Sequence, residues 1–140
     1  MSDGTAIEVT RVLPAAVDEV FRWWTEAELL SRWMSPAGSA YAEVDLRVGG
    51  SFRVVMKDAD IEIDHTGEYL QIDRPRRLMF SWRSRYAGTS SLVTVSLQPD
   101  GPASTRLVIV HTGLPTEVAT EHRSGWGAMA DRLAMEIETR

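Results

Sequence analysis

Three histidines, His65, His111 and His122, are the residues of this chain best suited to acid–base chemistry or metal binding. Neutral imidazole accepts a proton near neutral pH and is also a common metal ligand. The three lie in separate segments, and none has a second histidine four positions away, the spacing that places two ligands on one helix face. The sequence therefore predicts no metal site, and we expect no cofactor. Three uses remain for the histidines: contacts to a bound organic molecule, general-base chemistry on such a molecule, or hydrogen bonds within the fold.

Tryptophan is frequent for a chain of 140 residues, and it occurs at five positions: Trp23, Trp24, Trp33, Trp82 and Trp126. An indole lines an apolar pocket well, and its N–H can orient a polar atom of a ligand. Trp33, Trp82 and Trp126 are therefore pocket candidates, with plain core packing as the alternative. Trp23 is expected to point outward, because Phe21 and Trp24 take the buried side of the same predicted helix.

Composition excludes or disfavours several other chemistries. The chain has no cysteine, which rules out thiolate nucleophiles, disulfides and zinc–cysteine sites. It also lacks the Gly-x-Ser-x-Gly turn that presents a nucleophilic serine. Gly49 and Gly50 are expected to join two strands, so no helix N-terminus lies behind them to bind phosphate. None of these chemistries is therefore predicted, and no catalytic residue is assigned from a motif.

Charge and hydropathy bear on partners and location. The formal net charge of -5 disfavours nucleic acid, whose binding depends on a basic surface. No apolar stretch approaches the ~18 residues of a membrane helix, and the first residues lack the basic start of a signal peptide. We therefore expect a cytoplasmic protein that binds neither nucleic acid nor membranes. A homodimer is compatible with its size.

The last quarter of the chain, Thr116 to Thr139, predicts one long amphipathic helix. Its buried stripe recurs in steps of three and four: Val118, His122, Trp126, Met129, Ala130, Leu133 and Ile137. Glu121 and other charged residues are assigned to the opposite face. Gly125 and Gly127 flank Trp126, although glycine inside a helix costs roughly 1 kcal/mol relative to alanine. Either close backbone contact with a sheet or space for a ligand accounts for them.

Alternating apolar and polar residues predict strands before this helix. The first, Ala6 to Leu13, is followed by two short helices, Ala16 to Trp24 and a second one for which Thr25 and Glu28 fit a capping box. Gly67 is expected to mark a bulge or a close approach. Short turns predict antiparallel pairing in one sheet curled around the long helix. The six further strands are predicted at Tyr41–Arg47, Phe52–Lys57, Ile61–Ile72, Leu78–Arg83, Val93–Gln98 and Thr105–His111.

Short segments spread over nearly the whole chain resemble one known family. They are Val20-Phe21, Trp24 to Trp33, Asp45 to Gly50, Gly67-Glu68-Tyr69, Pro75 to Leu78, Val93 to Val95, His111 to Leu114 and Gly125-Trp126. Together they resemble the START-like helix-grip (SRPBCC) superfamily and, within it, bacterial homologues of the heat-shock-protein-90 ATPase activator. The resemblance implies a single START-like α+β domain over residues 1–140. It also implies a cavity between the sheet and the C-terminal helix that holds apolar molecules.

The inward faces of the predicted elements, combined with this resemblance, give a candidate ligand-binding set. It comprises Trp33, Met56, Ile63, His65, Phe80, Trp82, His111, His122, Trp126 and Met129. The first hypothesis is a binding protein for an apolar or aromatic small molecule. The second is a cyclase, lyase or hydrolase in the same cavity, with His65 or His111 as base. The third is a stress-related or chaperone-assisting interaction module whose surface carries the function.

Overall fold

The computed structural model describes residues 4–140 and contains seven strands and three helices. In chain order they are β1 Thr5–Leu13, α1 Val17–Thr25, α2 Ala27–Trp33, β2 Ser39–Val44, β3 Ser51–Asp58, β4 Ile61–Asp73, β5 Arg77–Ser84, β6 Gly88–Pro99, β7 Thr105–Leu114 and α3 Thr116–Glu138. The element order matches the sequence prediction, with ends that differ by a few residues. No helix in residues 4–140 combines the length and the apolar character needed to cross a membrane.

The strands form one antiparallel sheet in the order β1-β7-β6-β5-β4-β3-β2. Its inner face follows from the period of two in each strand, because alternate side chains point to the same side. Val95 of β6, for example, lies opposite Ile109 of β7, and both are fully buried. The sheet and α3 together make the α+β helix-grip fold that the sequence predicts.

The two short helices differ from the prediction in two respects. Thr25 belongs to α1, where its hydroxyl donates to the carbonyl of Phe21 at 2.8 Å, so it does not cap α2. The N-cap residue of α2 is Glu26, without a side-chain cap. Trp23 was predicted to be outward, which is wrong: it is 3% exposed because α2 folds back over it, and its carbonyl accepts the Trp33 indole N–H at 3.1 Å.

Gly67 sits at a close approach between strands and not at a bulge. A Cβ atom there would lie 1.9 Å from the carbonyl oxygen of Ser81 and 2.5 Å from the ring of Phe52. The register shift in β4 falls further along, between Tyr69 and Gln71. Only glycine therefore lets Phe52 pack over this point of the sheet.

Candidate functional site

Helix α3 rests on one side of the sheet. It packs mainly along β1 and against α2, and Arg11 of β1 forms an ion pair with Asp131 at 2.7 Å. In its C-terminal half, Ala130, Leu133 and Ile137 are fully buried. The C-terminal half of the helix is thus packed into the core, and the stretch from Val118 to Met129 faces the part of the sheet formed by β3, β4 and β5.

A cavity of about 570 Å³ lies between the N-terminal half of α3 and strands β3 to β5. The segment 35–37, between α2 and β2, forms a further side. The walls are mostly apolar, and only a few polar groups interrupt them. The lining residues are Ser35, Pro36, Ala37, Met56, Asp58, Ile61, Ile63, His65, Trp82, Ser84, Tyr86, Val118, Glu121, His122, Gly125, Trp126 and Met129.

Tryptophan rings form the wall of the cavity that adjoins the core. The Trp126 ring lies 5.2 Å from that of Trp82 and 6.1 Å from that of Trp24, measured between centroids. Trp24 in turn contacts Trp33 edge-on at 4.6 Å. Aromatic pairs at these separations attract each other beyond their simple burial. The Trp126 and Trp82 walls are therefore held in place from behind.

His111 lies behind the cavity wall and is fully buried. Its Nδ1 accepts the indole N–H of Trp126 at 3.0 Å. Because an indole nitrogen is only a donor, Nδ1 carries no hydrogen, and the neutral ring holds its proton on Nε2. That Nε2 is buried with no hydrogen-bond partner in residues 4–140. Burial, then the nearby His122 and His65, lower the pKa of His111 to about 3, so the ring is neutral at physiological pH.

His65, on β4, belongs to the cavity wall and is 6% exposed. Its ring lies 4.8 Å from that of Trp82, and its Nδ1 has no hydrogen-bond partner of normal geometry among the described residues. Burial lowers the pKa of His65 to about 4, an effect that the nearby carbonyls of Val54 and Ile63 only partly offset. The Trp82 indole nitrogen is also buried and unpartnered in the same part of the chain. Such orphaned polar groups are rare in folded proteins.

His122 reaches the cavity from the helix side. Its Nδ1 lies 2.8 Å from the carbonyl oxygen of Val118, one turn earlier in α3. A carbonyl only accepts, so Nδ1 holds a hydrogen, and Nε2 is the acceptor of the neutral ring. The ring stands perpendicular to His111 at 5.4 Å. His65 and His122 thus present imidazoles to one cavity from the sheet and from the helix.

The segment 35–37 is held by Arg132 of α3. Its guanidinium donates to the carbonyl oxygens of Ser35 at 2.9 Å and of Gly38 at 3.0 Å. Gly38 has φ +72°, and a Cβ there would lie 2.0 Å from the carbonyl oxygen of Lys57. These contacts fix the segment over the cavity, because both of its ends are anchored.

Ten residues form the predicted ligand-binding set, and the structure brings seven of them to the cavity: Met56, Ile63, His65, Trp82, His122, Trp126 and Met129. The other three lie elsewhere. Trp33 packs behind Trp24, Phe80 belongs to a ring cluster with Phe52 and Tyr69, and His111 lies behind Trp126. Residues that point inward therefore include both those that line the cavity and those that pack behind its wall.

Sequence reasoning missed Glu121, which was assigned to the charged outer face of α3 and in fact lines the cavity. Val118, Glu121, His122 and Gly125 follow one another at steps of three, one and three, the spacing of one helix face. This spacing alone indicates that Glu121 shares the face of α3 that carries Val118 and His122. Gly125 has no close contact with the sheet backbone: a Cβ there would touch only the Pro36 ring, at 3.7 Å. No cluster of three or more His, Cys, Asp or Glu residues suited to a metal occurs within residues 4–140.

A curved antiparallel sheet that holds a long C-terminal helix, with a cavity between them, defines the helix-grip class of α+β proteins. The sequence matches the family described as "Activator of Hsp90 ATPase homolog 1-like protein" over residues 14–138. The chain belongs to this family. A search of curated protein sequences found no match.

Several solved structures are similar to this chain. NE0264 from Nitrosomonas europaea is 25% identical with a TM-score of 0.81, covering 99% of this chain and 97% of that one. PFC0360w, an HSP90 activator from Plasmodium falciparum, is 26% identical with a TM-score of 0.65, covering 80% and 75%. DynU16, a protein in the dynemicin biosynthetic locus, is 25% identical with a TM-score of 0.78, covering 96% of this chain and 47% of that one.

Proposed function

We propose that this protein binds a small, largely apolar or aromatic molecule in the cavity between α3 and strands β3 to β5. The observation that carries the proposal is the cavity itself, whose volume of about 570 Å³ is typical of small-molecule sites. Its walls combine apolar side chains with His65 and His122, a composition that favours an apolar body with one or two polar atoms. The similarity to DynU16, a protein in the dynemicin biosynthetic locus, agrees with a small organic ligand.

The binding role is better supported than catalysis by a histidine base. His111 is fully buried, and its Nδ1 is occupied by the Trp126 N–H, so a molecule in the cavity does not reach it. His65 does line the cavity, but its pKa of about 4 makes it a weak base at neutral pH. Neither ring is therefore suited to remove a proton from a ligand, whereas His65 can still orient a ligand through a hydrogen bond.

The test is a titration with N-phenyl-1-naphthylamine, an uncharged aromatic probe whose fluorescence rises in apolar surroundings. We expect saturable binding and a rise in melting temperature, because a molecule bound only by the folded state stabilises it. Ile63→Trp should fill part of the cavity and abolish the saturable signal. Ile63 is half-buried on the wall, so an indole there has space to enter the cavity.

Val12→Trp is the matched control, because Val12 is also a β-branched strand residue but is 57% exposed and does not line the cavity. This variant should bind the probe as the wild type does. Binding that survives Ile63→Trp, or that is lost equally in both folded variants, would refute the proposed site.

A second candidate function, chaperone assistance, is favoured by the similarity to the HSP90 activator PFC0360w. It predicts that the protein raises the ATPase rate of an Hsp90-type chaperone and that Ile63→Trp leaves this effect intact, since the surface would carry it. A rate that stays at its basal value at saturating protein would discard this candidate.

A further inference from the structure

We infer that the cavity selects its ligand by charge, taking an uncharged or amine-bearing aromatic molecule and rejecting carboxylates such as fatty acids. This inference rests on the proposed function and specifies the class of molecule that the same cavity binds. It follows from the formal charges along the cavity walls, from the neutral ring of His65, whose Nδ1 is unpartnered among the described residues, and from the apolar side chains at the cavity edge.

Within residues 4–140, the Asp, Glu, Lys and Arg side chains that line the cavity are all acidic. Asp58 at the end of β3 and Glu121 on α3 contribute carboxylates from opposite sides. In the described part of the chain, neither takes part in a salt bridge or a side-chain hydrogen bond. Among the residues that the structure describes, no lysine or arginine lines the cavity. Two uncompensated negative charges therefore act on any molecule that enters.

The arginines next to the cavity edge are engaged elsewhere. Arg132 donates to the carbonyl oxygens of Ser35 and Gly38. Arg85 lies over the ring of its neighbour Tyr86, 5.4 Å from the centroid, and donates to the carbonyl oxygen of Glu62 at 2.8 Å. It is not a lining residue. The inner walls hold His65, which burial keeps neutral, so the sheet side supplies no cation to bind an anion. A buried carboxylate without a cationic partner is costly.

The walls also carry features that recognise an uncharged or amine-bearing aromatic molecule. Trp82 and Trp126 offer ring surfaces, which attract aromatic rings and cations alike. His65 is 6% exposed, and its Nδ1 lacks a hydrogen-bond partner among residues 4–140. At the cavity edge, Ile61 is 55% exposed and Tyr86 is 48% exposed, which gives an apolar body a first contact.

The experiment compares three probes that share one ring system: 2-(aminomethyl)naphthalene, 2-naphthalenemethanol and 2-naphthoate. Dissociation constants are measured by tryptophan fluorescence and calorimetry at pH 8, where histidines of ordinary pKa are mostly neutral and the amine stays charged. At low salt we expect the amine to bind about tenfold more tightly than the carboxylate, with the alcohol between them. The ratio should shrink at 300 mM salt, because the carboxylates are exposed.

The double variant Asp58→Asn/Glu121→Gln should bring the amine-to-carboxylate ratio to about twofold or less. Asp100→Asn/Glu138→Gln is the matched control: it removes the same two charges from exposed positions outside the cavity lining and should leave the ratio unchanged. Equal affinities for amine and carboxylate in the wild type, or an equal loss of the ratio in the control, overturn the charge selection while leaving the cavity as a binding site. Failure of all three probes to bind overturns the proposed function and this inference with it.

Discussion

The two halves of α3 carry the same amphipathic period but meet the sheet differently. In the C-terminal half, Leu133 and Ile137 are fully buried and the interior is packed. In the N-terminal half, Val118, His122 and Gly125 are half-buried and border the cavity. The difference arises because α3 packs against β1 and α2. The space between its N-terminal half and strands β3 to β5 is therefore left open as the cavity. One stripe on one helix thus produces both a core and a candidate binding site.

The largest expected difference between the packed core and the cavity wall is in stability. Leu133→Ala, in the packed half, should lower the free energy of unfolding by about 2–5 kcal/mol, because it leaves a hole in a core that cannot collapse around it. Ile63→Ala, on the opposite wall of the cavity, should cost less than about 1.5 kcal/mol, since its side chain already borders open space. Urea unfolding followed by tryptophan fluorescence measures both. Equal losses would contradict the distinction between packed and hollow halves.

The histidines at and behind the cavity wall should make the stability of the protein depend on pH. The pKa of His65 is lowered to about 4 and that of His111 to about 3, whereas an unfolded histidine titrates near 6.5. Below pH 6.5 the unfolded state therefore binds more protons than the folded state. The free energy of unfolding is highest above pH 6.5 and falls as the pH drops towards the pKa values of the folded state. Each histidine contributes up to about 1.4 kcal/mol per pH unit.

The check on this pH effect is urea unfolding at pH 7, 6 and 5 for the wild type and for His65→Gln. Between pH 6 and 5, the unfolding free energy of the variant should fall less steeply than that of the wild type, because only His111 still contributes to the fall. A variant with an unchanged slope would show that His65 is not the buried, neutral group described here.

The smallest expected effect concerns the two helix glycines. Gly125→Ala should raise the unfolding free energy by up to about 1 kcal/mol, because its Cβ would meet only the Pro36 ring at 3.7 Å. Gly127→Ala should gain less, since its Cβ would lie 3.2 Å from the Arg11 guanidinium, which pairs with Asp131. Thermal and urea unfolding of both variants compare the positions. A loss of stability at Gly125 would mean that the backbone there is in close contact after all.

Periodicity predicted the elements of the fold, because each strand alternates and α3 repeats in steps of three and four; the helix-grip assignment came from the family resemblance. The candidate site was predicted less completely. Phe80 and His111 point inward as expected, but inward-pointing residues include those behind a wall, and periodicity does not separate the two. Trp23 was misjudged because the fold-back of α2 is a tertiary contact that α1 alone does not encode. The charge of Glu121 indicates an outer position, whereas its spacing from Val118, His122 and Gly125 places it on the face of α3 that borders the cavity.

The most direct test of the two halves is solution NMR of the protein with bound N-phenyl-1-naphthylamine. Intermolecular nuclear Overhauser effects report protons of the probe that lie close to protons of the protein. We predict contacts to the Trp126 indole, the Met129 methyl and Ile63, and none to Leu133 or Ile137. Contacts confined to the outer surface of the sheet, or contacts to Leu133 and Ile137, would contradict the account.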